Sequence, residues 1–248
     1  MSQSSDRGIA VVTGGATGIG AATCRALARA GFRVVVHHRS SHEAAEALVS
    51  ELSEAGRALS VPADLSTEEG VELVAKTVGE QPEPCQVLVN NAGFTVDAPL
   101  FSAKLADLDS VVALNLRGTW LLTKRIARQM SRKKFGRIIN ISSVVGSTGN
   151  PYQSVYGMTK GAIDNLTKTL AAELAPFGVL VNSVAPGFID TAMTRKLPDA
   201  AKQSFLERIP MKRMGTPDEV ADVVEFLATR ATYITGTVIH VNGGMYAG

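Results

Sequence analysis

Tyr156 and Lys160 stand four residues apart, and Ser143 lies thirteen residues upstream of the tyrosine. A phenol is a poor acid at neutral pH, with a free pKa near ~10. Spacing of i, i+4 on a helix puts the lysine ammonium on the same face, one turn from the phenol. At about 4 Å and an effective dielectric near 20, such a pair gains roughly 4 kcal/mol, or about three pKa units. Burial of the phenolate pushes the other way, so that figure is a ceiling. A tyrosine tuned toward neutrality can give or take a proton while a hydride is transferred. Tyr-x3-Lys alone is a weak signal, and its weight depends on what accompanies it.

What accompanies it is a glycine loop between a strand and a helix. Residues 9–13, Ile-Ala-Val-Val-Thr, form a short apolar β-branched run that suits a buried parallel strand. Gly14-Gly15-Ala16-Thr17-Gly18-Ile19-Gly20 follows, and Ala22, Leu27 and Ala28 then carry a helical pattern. Glycines 14, 18 and 20 let the backbone turn tightly and approach a pyrophosphate, with Thr17 and Ile19 between them. The helix start behind offers free N–H groups and a positive dipole end. The spacing is G-x3-G-x-G rather than G-x-G-x-x-G; without a ligand it is a strand-to-helix turn. The next strand, from Arg33 to Val36, runs into His37-His38-Arg39-Ser40-Ser41. An acid at the end of this strand would hold a ribose 2′-hydroxyl and so favour NAD, and none is present. Arg39, Ser40 and Ser41 suit the 2′-phosphate of NADP through charge-assisted hydrogen bonds. The alternative for Arg39 is an exposed loop arginine.

The surrounding pattern alternates. Strands fit near 9–13, 33–37, 58–62, 86–90, 136–142, 178–185 and 237–241. Helices fit near 18–30, 42–55, 67–79, 102–132, 152–175 and 217–229, with a short helical insertion at 191–209. Such alternation predicts an α/β fold, a doubly wound seven-stranded parallel sheet covered on both faces. Ligand then belongs at the carboxyl ends of the strands, where the loops holding Gly14, Asn91, Ser143 and Pro186 fall.

Composition narrows the function classes. The 248 residues are expected to form a single NADP-binding domain over 1–248, and apolar residues are 45% of the chain. A net charge of +2 gives no case for a nucleic-acid binder. No apolar run of eighteen residues and no signal-peptide core occur, so a soluble cytoplasmic protein without a membrane partner is expected. Cys24 and Cys85 lack metal or redox spacing and read as buried free thiols; no metal site is expected.

The motifs together resemble the short-chain dehydrogenase/reductase family across nearly the whole chain. Thr13–Gly20 is similar to its TGxxxGIG loop, and Asn90-Asn91-Ala92-Gly93 to its NNAG motif. Asn115, in Leu-Asn-Leu-Arg-Gly, sits where the family keeps a catalytic asparagine. Ser143, Tyr156 and Lys160 fit its Ser…YxxxK set, and Pro186-Gly187 its PG motif. Within the family, segments such as Pro186–Thr191 and Tyr233–Tyr246 resemble bacterial 3-oxoacyl-(acyl-carrier-protein) reductases. The resemblance implies a Rossmann-like fold with a mobile substrate lid at 191–209, where Met193, Leu197 and Phe205 either line an acyl channel or belong to the helix core.

It also implies roles. Tyr156 protonates the substrate oxygen; Lys160 lowers the phenol pKa and holds the nicotinamide ribose. Ser143, rather than Ser142, bonds the carbonyl oxygen, and Asn115 anchors a water relay to Lys160. Asp64 and Leu65 meet the adenine, Asp64 alternatively being a helix cap beside Ser66 and Thr67. Asn91, Ala92 and Gly93 pass the adenosine ribose; Ile189 and Thr191 face the nicotinamide carboxamide and phosphate.

Two positions depart from the pattern: Thr17 stands where many NADPH-preferring relatives have a basic residue, and Phe177 where the bacterial reductases have an arginine implicated in carrier docking. The basic run Arg128, Arg132, Lys133, Lys134 and Arg137 suits either an acidic carrier protein or a helix end that favours cations. The expected activity is NADPH-dependent reduction of a 3-oxoacyl thioester in fatty-acid or related polyketide or polyene synthesis, by a homotetramer. Its rivals are a carbonyl reductase or alcohol dehydrogenase for free small molecules, and a cofactor-sensing scaffold.

Overall fold

The computed structural model describes residues 7–53, 58–195 and 198–247. Seven parallel strands make one sheet in the order β3-β2-β1-β4-β5-β6-β7. They are β1 (Ile9–Val12), β2 (Arg33–His38), β3 (Ala58–Pro62), β4 (Cys85–Asn90), β5 (Gly136–Ile141), β6 (Val179–Pro186) and β7 (Val238–Val241). The order reverses beside β1, which creates a crevice at the carboxyl ends of β1 and β4. Each expected strand is present.

Side-chain alternation along the strands builds two cores. Ala10 and Val12 of β1 face α1 (Gly18–Arg29), α2 (His42–Leu52) and α10 (Pro217–Thr229) with Leu27, Leu48, Val224 and Leu227. Ile9 and Val11 face the other way, toward α3 (Glu68–Gly79) and α5 (Thr119–Lys133), with Val74, Leu122, Ile126 and Met130. These strands are β-branched and apolar on both faces because helices cover both.

The expected helix over 102–132 is not continuous. A short tight turn at Leu100–Ser102 precedes α4 (Leu105–Val112), and a wide π-type turn over Ala113–Gly118 separates α4 from α5. The apolar spacing continues through the break, so periodicity does not register the wider turn. A five-residue helix not expected from the sequence, α6 (Val144–Thr148), precedes α7 (Ser154–Leu174). The insertion contains α8 (Ala192–Arg195) and α9 (Asp199–Arg208). Leu197 and the side chain of Met193 lie outside the described residues, so neither acyl-channel expectation meets an observation.

A polar belt crosses the carboxyl half of the sheet. Asn90 Nδ2 donates to Asn140 Oδ1 at 2.8 Å and to Thr123 Oγ1 at 2.9 Å. Asn140 Nδ2 donates to Thr167 Oγ1 at 2.8 Å, and Ser183 Oγ to Asp164 Oδ1 at 2.8 Å. All are buried, and each bond between a strand and α5 or α7 fixes how those helices sit on the sheet. This belt sets the register of α7, which carries Tyr156 and Lys160. Among the described residues, no helix is long and apolar enough to cross a membrane.

Candidate active site

A cleft of about 480 Å³ opens at the carboxyl ends of the strands. Gly14, Thr17, Gly18 and Ile19 line it from the glycine loop and the first turn of α1. Gly14 and Gly18 have φ of +60° and +52°, a conformation that favours glycine. Gly20 does not line the cleft. It is buried one turn into α1, where a Cβ would collide with the Gly14 carbonyl and approach Asn91 Nδ2 at 2.7 Å. Its smallness serves loop packing rather than ligand contact.

Arg39, Ser40, Asp64 and Leu65 line the cleft beyond β2 and β3. Arg39 Nη1 lies 4.0 Å from Asp64 Oδ2, and both side chains keep solvent contact, at 61% and 40% exposure. Asp64 Oδ1 accepts from the Ser66 amide at 2.9 Å and the Ser66 hydroxyl at 2.7 Å. Those bonds, then Arg39, hold its carboxyl below the usual range. Thr67, not Asp64, caps α3: its hydroxyl accepts from the Gly70 amide at 3.1 Å. Asn91, Ala92 and Gly93 line the middle, and Pro186, Gly187, Ile189 and Thr191 the opposite wall.

Ser143, Tyr156 and Lys160 come together in the same cleft. Ser143 caps α6, its hydroxyl accepting from the Val145 amide at 3.2 Å. Ser142 also reaches the cleft, but its hydroxyl donates to the Lys160 carbonyl at 3.2 Å. The structure thus separates the two serines, one engaged with α7 and the other beside the phenol.

The expectation for the tyrosine acidity is overturned in direction. Burial pushes the Tyr156 phenol above its usual value, with Ser143 pulling it down and Asp97 adding to the rise. Lys160 is only 6% exposed; its Nζ donates to the Ile141 carbonyl at 2.7 Å and stands 5.6 Å from the Tyr156 ring centroid. Burial lowers the ammonium pKa to about 8 against the opposing pull of Asp164. Desolvation is the dominant cause for both groups, and a phenol held above its usual value is protonated at neutral pH.

Asn115 is buried within the π-type turn and does not line the cleft. Its Oδ1 accepts from the Phe94 amide at 3.1 Å, and its Nδ2 donates to the Phe94 carbonyl at 3.0 Å and to Thr159 Oγ1 at 3.3 Å. The structure joins Asn115 to the loop after β4 and to α7 rather than directly to Lys160. Wide turns of this kind recur at functional sites.

Sequence reasoning missed several lining residues, among them His37, His38, Phe94 and Thr194. The His37-His38 pair was legible as a titratable doublet next to Arg39. Phe205 stacks on buried Phe188, centroids 4.7 Å apart, which favours the helix-core reading of that residue. Arg132 and Lys133 end α5, with Lys134 the next residue, just before β5, whereas Ser143 follows the far end of that strand. Six residues of strand span roughly 20 Å. On one chain the basic run and the cleft thus lie at opposite ends of the sheet.

Glycine loop, crevice and sheet order define a Rossmann-like α/β protein. A family model described as enoyl-(acyl carrier protein) reductase matches residues 14–246. The 3-oxoacyl-[acyl-carrier-protein] reductase of Synechocystis is 46% identical, with 96% of each chain covered. That of Aquifex aeolicus is 45% identical over 96% of this chain and 97% of its own. A solved structure described as a short chain dehydrogenase/reductase family protein superimposes with a TM-score of 0.87 at 37% identity, covering 97% of both chains. The chain belongs to the short-chain dehydrogenase/reductase family.

Proposed function

We propose that this protein is an oxidoreductase that uses NADPH to reduce a 3-oxoacyl thioester, carried by acyl carrier protein, to the 3-hydroxyacyl thioester in fatty-acid synthesis. The observation that carries the reading is the convergence of Ser143, Tyr156 and Lys160 in the cleft that the glycine loop lines. The names of relatives 46% and 45% identical over nearly full length supply the substrate class.

The cleft fits the cofactor. Gly14 and Gly18 line the cleft at the start of α1, whose N-terminal end favours a pyrophosphate. Arg39 is exposed beside Ser40 and Ser41, with no acid in the 2′-hydroxyl position of β2. When bound, the cofactor supplies the hydride that reaches the substrate carbonyl carbon. The rest falls to side chains. Ser143 donates a hydrogen bond to the carbonyl oxygen as charge develops on it. Tyr156, protonated at neutral pH, gives that oxygen its proton. The Lys160 ammonium stabilises the phenolate left behind and is held in place by the Ile141 carbonyl. Asn115 keeps the Gly93–Phe94 backbone in place against Lys160.

The chain acts as a single domain over 1–248 in the cytoplasm, where buried thiols such as Cys24 and Cys85 stay reduced. It assembles as a homotetramer through the apolar side chains that α4, α5 and α7 leave exposed, including Leu105, Trp120 and Met158. Lys133 and Lys134 attract the acidic carrier. NADPH oxidation with acetoacetyl-carrier-protein, beside a free 3-ketoester and NADH, tests the reading. Fast NADPH-specific turnover of the thioester is expected; silence on it with turnover of the free ketone would assign the small-molecule reductase instead.

A further inference from the structure

His37, next to last in β2, carries hydrogen bonds to two separate stretches of backbone. The Gly14 amide donates to its Nδ1 at 3.1 Å, and its Nε2 lies 3.0 Å from the Ala63 carbonyl. The first bond requires a bare Nδ1 and the second a hydrogen on Nε2. Only the neutral Nε2–H tautomer satisfies both. The main chain repeats the link, since the Gly15 amide donates to the His37 carbonyl at 2.8 Å. On the far side Asn91 Nδ2 donates to the Thr13 carbonyl at 2.9 Å and the Gly14 carbonyl at 3.0 Å. The loop is thus gripped from both flanks, and the Gly14 N–H is spent on His37 instead of being offered to a ligand.

We propose that His37 is a positioning residue whose neutral ring holds the glycine loop, with Gly14 at φ +60°, in the shape that receives a dinucleotide pyrophosphate. The inference rests on the NADPH reading above. A protonated ring would present N–H to the Gly14 N–H and release the loop. The groups around it are known. His38 follows on β2, within reach of Ser60 Oγ at 2.9 Å and edge-on to His42 of α2. Asp64 lies beyond β3, tied to Ser66 and facing Arg39. Cys24 of α1 lies under Gly15, and burial pushes its thiol up. Asp64 and the Ala63 carbonyl favour the charged ring, but burial dominates and lowers its pKa to about 4. The neutral clamp therefore persists through the physiological range and fails only in acid.

The test reads tautomer and binding, not turnover. Nitrogen NMR of the histidine rings is expected to show His37 neutral with its hydrogen on Nε2 at pH 7. An Nδ1–H ring or an imidazolium would overturn the proposal. NADP+ affinity is then measured by calorimetry for His37→Phe, which keeps the ring and loses both bonds, and His37→Asn, which keeps an acceptor toward Gly14 and cannot titrate. The Phe variant should bind about tenfold more weakly and the Asn variant within about threefold of native. Native-like binding by the Phe variant, or a tenfold loss in the Asn variant, would overturn it. Should the Phe variant fail to fold, the tautomer and the Asn variant still decide. A native protein that binds NADP+ yet leaves the thioester untouched would sink the proposed reaction and leave His37 standing; one that does not bind NADP+ would sink this inference.

Discussion

The two ends of the cleft are built on opposite electrostatic terms. At one end, Arg39 and Asp64 face each other across 4.0 Å in contact with solvent. At the other, Lys160 is 6% exposed, with its ammonium on a backbone carbonyl and its pKa lowered to about 8. An exposed pair is worth no more than about 1 kcal/mol. A buried cation shifts by several kcal/mol with its surroundings. The open end can thus be altered with small effect on folding, whereas the closed end ties chemistry to stability.

Tyr156→Phe should break the closed end most severely. The proton donor is lost while the ring remains, so turnover should drop by roughly 10³-fold. NADP+ affinity should stay within about threefold; loss of affinity to match the turnover would assign the phenol to binding instead.

Lys160→Met separates chemistry from stability. The folded-state pKa near 8 lies below that of a free lysine, about 10.4. Below pH 8 both folded and unfolded chains carry the proton, and the native state bears the whole desolvation cost, on the order of 3 kcal/mol. Between pH 8 and about 10 the native state sheds its proton first, so this cost fades as pH rises. Removing the amine leaves the Ile141 carbonyl without its donor, which gives back about 1 kcal/mol. The variant should be inactive yet about 1–2 kcal/mol more resistant to urea at pH 7. An inactive, destabilised variant would show that the ammonium supports the fold. In the native enzyme, reduction should decline above about pH 8 as this ammonium is lost.

Arg39→Ala probes the open end. The KM for NADPH should rise about tenfold, a loss of roughly 1.4 kcal/mol, and that for NADH should barely move. Parallel losses for both cofactors would place Arg39 outside 2′-phosphate recognition. The smallest effect is expected at Tyr152, whose φ of +69° is unusual for a side chain with a Cβ. Tyr152→Gly should stabilise the fold by about 1 kcal/mol in thermal unfolding, since the exposed ring gives up little packing. A lower melting temperature would reveal a contact that the ring makes.

The open end and the strands were legible because their signals are local. The glycines after β1 announce a tight turn wherever they fall, and Ile9–Val12 declares a buried strand by composition. The Tyr156–Lys160 spacing likewise put both residues in one cleft. The sign of the phenol shift was not legible, because it depends on how far the folded chain buries the ring. Gly14 showed a turn but not that its amide is held by His37, a partner 23 positions away. Asn115 was legible as the counterpart of the family's asparagine; its grip on Phe94 was not. The helix break escaped notice because Leu114 and Leu116 continue an apolar pattern through it.

That wide turn also makes chain length matter at this point. An α-helix advances about 100° per residue, and a wider turn holds one residue more than a regular one. Deleting one residue between 113 and 118 would let the ladder close into ordinary helix. It would also swing α4 by about a quarter-circle against α5, carrying Val111 away from its buried seat and Asn115 away from Phe94. A chain one residue shorter here would gain a better helix and lose the loop that borders Lys160.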